Sequence, residues 1–159
     1  MVAERQLKGN RIWWVPALLI SYNMTANLSN DIYLPSMATL NTIFYTSAQK
    51  VQLTMTAWYL GVAIPLVFFG YLSESFGRKP LLFAGGACFM MASLLCAWSS
   101  NIHLFILGRF FQGVGVCSLN VSTFSIVPEL YTTNKRIKIM AYLKMAGYLS
   151  PILGPMLGA

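Results

Sequence analysis

Two stretches without a single charged side chain, residues 51–73 and 81–103, decide what kind of chain this is. A hydrocarbon core about 30 Å thick needs roughly 20 helical residues at a rise of about 1.5 Å each, so both stretches are long enough to cross it. Between them lies a short polar break, residues 70–80, reading GYLSESFGRKP. It reads as a tight turn between two transmembrane helices. Gly77 offers a backbone free to take positive φ, Glu74 can cap or pair locally, and Pro80 suits the first turn of the next helix.

With 57% hydrophobic and 9% charged residues and a mean hydropathy of +0.61, a soluble domain would leave large apolar surfaces in water. The net charge of +7 would fit nucleic acid only if the basic residues shared one soluble face. They stand instead in the breaks between apolar runs, so no nucleic-acid partner is expected and membrane lipid is. Cys88, Cys96 and Cys117 lie inside the runs and form no C-x-x-C pair. On one helix Cys88 and Cys96 stand about 12 Å apart, beyond disulfide reach, and all three read as reduced, buried small residues.

The fold class that follows is all-α, a polytopic bundle over residues 1–159 with helices at about 12–34, 51–72, 81–99, 102–127 and 139–159. The first run follows a segment with Glu4, Arg5, Lys8 and Arg11 and opens on Trp13 and Trp14, which suit an interfacial belt. It is too long for the core of a signal peptide and shows no small-residue cleavage site. At Pro35 it meets a polar connection, residues 36–50, which is either a loop or the kinked end of the same helix. Ser99-Ser100-Asn101 marks the turn into the fourth helix, with His103 a solvated residue at its outer end. Basic residues sort by side: Arg5, Lys8 and Arg11, then Arg78 and Lys79, then Lys135, Arg136 and Lys138, against Lys50 alone. That asymmetry places the N-terminus in the cytoplasm and the end of the fifth helix outside.

Polar residues at membrane depth come in two stripes. Asn23, Asn27, Asn30 and Asp31 recur at helical spacing on one face of the first helix. A carboxylate at that depth costs roughly 2.5–3.5 kcal/mol on insertion scales, so it should face the bundle or a water-filled cavity. The asparagines either line that cavity or hydrogen-bond neighbouring helices. Arg109, Gln112, Val116 and Asn120 form the second stripe, on the fourth helix. By rise per residue, Arg109 and Asp31 lie at similar depths and can meet, either as a static pair or as one that titrates. Arg109 favours the ionised carboxylate and burial favours the protonated one. Lys144 either snorkels to the inner interface or faces the cavity. Met55, Trp58 and Tyr59 read as packing that would also suit lipophilic cargo.

Residues 70–80 resemble, position for position, the loop motif G-x-L-x-D-x-x-G-R-K of the major facilitator superfamily. Gly70, Leu72, Gly77, Arg78 and Lys79 fit, and Glu74 stands where Asp is usual. LGRFFQGVGVC, from Leu107, is similar to the R-x-x-Q-G-x-G motif of the fourth helix. SPILGPMLGA, from Ser150, is similar to the antiporter motif G-P-x-x-G through Gly154, Pro155 and Gly158. With the string NDIYLP in the first helix, the chain resembles the drug:proton antiporter branch, of the Bcr/CflA-type, MdfA-like group.

The resemblance implies a multi-pass protein of the bacterial inner membrane that exports small lipophilic or drug-like compounds, driven by the proton gradient and needing no cofactor or metal. Asp31 then corresponds to an acid of the first helix in proton and substrate binding, Arg109 to the arginine linked to proton coupling, and Asn27 and Asn30 to cavity positions. Asn23 stands where these members carry a second acid, which weakens the case for cationic substrates, and Lys144 falls where they are uncharged. The superfamily has two six-helix halves with substrate between them near the midplane, so five helices imply an N-terminal part that does not transport alone. It would need C-terminal helices or a complementary chain. The alternatives are the same fold exporting a siderophore, sugar or nucleoside, or a truncated remnant that does not transport. An enzyme is not expected, for there is no P-loop, no H-E-x-x-H and no Ser or Cys nucleophile near a base.

Overall fold

The computed structural model describes residues 14–158, apart from the side chains of residues 155, 157 and 158. The basic N-terminal residues, Trp13 and the side chain of Pro155 lie outside what is described. Five helices follow one another: α1 (Trp14–Ile43), α2 (Ala48–Ser75), α3 (Arg78–Ala97), α4 (Ile102–Leu130) and α5 (Thr133–Gly158). Among the described residues there is no strand. The links, residues 44–47, 76–77, 98–101 and 131–132, are too short for anything but reversal of direction.

Most helices run further than hydropathy alone places them. α1 continues through Pro35 to Ile43 instead of ending there. A proline in a helix interior withholds one N–H, so only the carbonyl four residues back, that of Asp31, loses its partner while the rest of the ladder goes on. α2 takes in Gln49 and Lys50, and α5 takes in Lys135, Arg136 and Lys138 as exposed residues of its first turns. What reads as a basic break is therefore helix, because Lys, Arg and Gln are good helix formers once their heads are solvated.

The break at residues 70–80 shrinks likewise. Gly70, Leu72 and Glu74 belong to the last turns of α2, and Arg78, Lys79 and Pro80 to the first turn of α3. The reversal itself is Phe76-Gly77, with Gly77 at φ 90°, a conformation that disfavours any side chain. Glu74 is exposed, and it is Glu129 near the end of α4 that pairs with Arg78. The same guanidinium donates to the Ser125 carbonyl, so α3 is tied to α4 and not back to α2.

α4 is the axis of the bundle, packed most heavily against α2 and α3, while α1 packs chiefly on α5. Glycines set how closely these helices approach. Gly61 of α2 faces Gly113 of α4, Gly85 of α3 faces Gly115 and Ser118, and Gly108 faces Cys96. The two glycines of Q-G-x-G thus serve two different neighbours. Around them lie three apolar clusters, with Leu19, Val127 and Leu143 at one end, Ala26, Trp58, Phe89 and Leu119 in the middle, and Tyr33, Leu40 and Val51 at the other. Cys117 is buried, but Cys88 and Cys96 are only half-buried; all three are free thiols.

By length and composition α2, α3 and α4 can each cross a membrane. α1 and α5 have 30 and 26 residues, length enough, but carry the polar and basic side chains.

Candidate functional site

The asparagine stripe of α1 meets α4 and α5 around a cavity of about 170 Å³ lined by Asn23, Asn27, Asn120, Thr123, Met140 and Lys144, with Phe124 and Leu143 as its apolar wall. The amides form a relay. Asn27 donates to the carbonyl and side-chain oxygen of Asn23, each at 2.8 Å, and Asn23 donates to Asn120 Oδ1 at 3.4 Å. An Asn face on one helix can thus both bond to a neighbour and line a cavity. Lys144 lines this cavity and is itself exposed.

Towards the other end of the bundle a second cavity, about 300 Å³, is lined by residues that include Ser29, Tyr33, Ser36, Phe105, Arg109 and Gln112. Arg109 is only 4% exposed. Its guanidinium lies 3.4 Å from the centroid of the Tyr33 ring and 5.6 Å from that of Phe105, and it donates to Gln112 Oε1 at 3.2 Å. Gln112 in turn donates to Ser93 Oγ at 2.9 Å. The Tyr33 hydroxyl is held by Thr54 of α2. Arg109 Nε has no hydrogen-bond partner among the described groups. A desolvated cation over an aromatic face gains about 2 kcal/mol or more, which offsets only part of the cost of burying it.

Asp31 is not beside Arg109. The ion pair found among the described residues is Arg78 with Glu129, and Asp31 sits half-buried against α5, where a Cβ built on Gly154 would come within 2.5 Å of its own Cβ. Depth and direction separate here. Asp31 and Tyr33 are two positions apart on α1, about 200° around the helix, so when Tyr33 covers Arg109 the carboxylate faces nearly the opposite way. Asn30, one residue earlier, is buried with its Oδ1 unpartnered among the described groups. Of the expected site residues, Asn23, Asn27 and Asn120 converge on one cavity and Arg109 with Gln112 on another, and Asp31 joins Gly154 at the α1–α5 seam. The loop-motif residues Gly70, Glu74, Gly77, Arg78 and Lys79 stand apart at the α2–α3 turn.

Sequence reasoning passed over Tyr33, Ser93 and Glu129. Tyr33 could have been found from its position inside NDIYLP, one turn from Asn30; Glu129 is the lone carboxylate at the end of α4 nearest the α2–α3 turn. Ser93 gives no sequence signal of its own. Among the described residues no three His, Cys, Asp or Glu side chains converge as a metal centre would require.

Comparison with known proteins agrees with this arrangement. Residues 19–159 match the Major Facilitator Superfamily. The chain is 31% identical over 151 residues to the Multidrug transporter MdfA of Yersinia pestis bv. Antiqua (strain Angola), covering 95% of this chain and 37% of that protein. It is 32% identical over 128 residues to the Multidrug resistance protein MdtL of Salmonella paratyphi A (strain ATCC 9150 / SARB42), covering 80% of this chain and 32% of that one. The chain therefore spans about a third of the length of these relatives. Five antiparallel helices, a glycine-packed central helix bearing a buried arginine, and a family match over residues 19–159 lead to one conclusion: the chain belongs to the major facilitator superfamily.

Proposed function

We propose that these helices form part of a proton-coupled exporter of small lipophilic or drug-like compounds in a bacterial inner membrane, with the N-terminus cytoplasmic. They work with further helices, supplied either by a longer chain or by a complementary one. The observation that carries this reading is a buried guanidinium with no carboxylate against it. Arg109 keeps its charge under any cellular condition, so its field acts on whatever titrates nearby. Asp31 is the one carboxylate of the described residues that lies at membrane depth, and it stands on the helix whose Tyr33 covers that guanidinium.

In this mechanism Asp31 alternates between protonated and ionised forms as the bundle opens to either side. Arg109, on the α4 side of the same helix, is the fixed positive charge of this bundle. Asn23, Asn27, Asn30, Gln112 and Asn120 offer hydrogen bonds to cargo along the α1–α4 face. Gly154 lets α5 come close to the turn that bears Asp31, whose backbone carbonyl is released by Pro35 and leaves that turn able to adjust. The relatives named as multidrug transporters support the cargo class. The energy source is the proton gradient, with no cofactor.

The test is substrate-induced proton flux in vesicles carrying these helices within a complete transporter. Asp31→Asn should abolish efflux driven by a pH gradient while leaving energy-independent substrate exchange. Retention of gradient-driven efflux by that variant would overturn the mechanism.

A further inference from the structure

The cavity between α1, α4 and α5 has a basic residue in its lining. Lys144 is the charged residue in its lining, and no carboxylate lines it. Asp31 contacts Gly154, ten residues beyond Lys144 on α5, which places it about 15 Å farther along the bundle. Glu129 is engaged by Arg78. The ammonium is thus without a counter-ion among the described residues.

The neutral groups around it add donors. Asn27 donates to Asn23 and Asn23 to Asn120 Oδ1, so the relay ends on the amide NH2 of Asn120, which has no acceptor among the described groups. Thr123, also in the lining, is 2% exposed and its hydroxyl has no partner there. Lys144, Asn120 and Thr123, an ammonium, an amide and a hydroxyl, share this lining with Phe124, Met140 and Leu143, a set of groups that matches a carboxylate joined to an apolar body. A cationic ligand would meet Lys144 with nothing to offset the repulsion.

We propose that this cavity binds the acidic group of small amphipathic carboxylates, with Lys144 as the residue that selects anions over cations. The proposal rests on the transport reading for its purpose, since it names the cargo of that same cavity. Binding is measured separately from flux, however, so either can fail alone.

The experiment compares benzoate with benzamidine, planar ligands of nearly the same shape and opposite charge, by saturation-transfer NMR on the chain in zwitterionic-lipid nanodiscs. Benzoate should bind and benzamidine should not. Lys144→Gln should weaken benzoate about tenfold, Lys144→Arg should retain it, and Asn23→Asp should remove the preference by giving Lys144 an internal partner. Helical content measured by circular dichroism should be unchanged in all three. Equal binding of the two ligands, binding of neither, or indifference to Lys144→Gln overturns the assignment. So does loss of benzoate in nanodiscs containing phosphatidylglycerol, which would give Lys144 to a lipid phosphate. Loss of proton-coupled efflux with benzoate selectivity intact would count against the transport reading alone.

Discussion

A methyl group at position 61 would sit 2.1 Å from the carbonyl oxygen of Phe110, and one at position 113 would sit 2.3 Å from that of Trp58. Both obstacles are backbone, which cannot rotate aside, so α2 and α4 would have to separate. Gly61→Ala and Gly113→Ala should each lower stability by about 1–3 kcal/mol. Gly70 and Gly147 have nothing within 4 Å of a built Cβ, and alanine there should be neutral or stabilise by up to about 1 kcal/mol, since it is the better helix former. Unfolding in mixed detergent micelles, followed by helical circular dichroism, separates the two pairs. Tyr33 can be dissected in the same way. Tyr33→Phe keeps the ring against Arg109 and leaves Thr54 its bond to the Val51 carbonyl, so the loss should be about 1 kcal/mol. Tyr33→Ala removes the ring and opens a cavity beside a buried cation, for about 3–5 kcal/mol.

At the scale of whole helices, the ion pair of Arg78 and Glu129 joins the start of α3 to the end of α4. It is partly exposed, and such pairs contribute about 0–1 kcal/mol, less in high salt. Glu129→Gln should therefore cost little, because the bond from Arg78 to the Ser125 carbonyl persists. Arg78→Ala loses both contacts and should cost more, while Glu74→Gln should change nothing, which detergent unfolding at low and high salt can measure. The contrast also shows what could be read beforehand. The uncharged runs at 51–73 and 81–103 mark α2 and α3, because a charge at membrane depth is costly, and positive φ at the α2–α3 turn follows from Gly77. Helix ends were less legible, since solvated Lys, Arg and Gln extend a helix as readily as they end it, as at Lys50 and Lys135. The approach of Asp31 to Arg109 was read from depth alone. Counting residues gives height along a helix, but two positions of α1 turn the carboxylate away from α4 and towards Gly154. The link from Arg78 to Glu129 spans 51 positions in the chain and has no periodic signature.

For the whole molecule, the arrangement of charge makes a prediction that packing does not. α3 begins with Arg78 and Lys79, and α5 carries Lys135, Arg136 and Lys138 in its first turns, with no acid in the first turn of either helix. Cations at a helix N-terminus oppose the macrodipole by about 0.3–1 kcal/mol each at low salt, so helix stability does not account for them. The proposed orientation, which puts these basic ends on the cytoplasmic side, would account for them. With Cys88, Cys96 and Cys117 replaced by serine, single cysteines at the exposed positions Tyr45 and Ser100 should react with a membrane-impermeant maleimide on intact cells. Cysteines at the exposed Phe76 and Thr132 should react only after permeabilisation. Replacing Lys135, Arg136 and Lys138 together by glutamine should leave the helices folded, or slightly more stable, yet let part of the population label at Thr132 from outside. If orientation instead remained uniform, the basic ends would have another role. Labelling of all four positions from one side would mean that the helices do not cross the membrane in alternation.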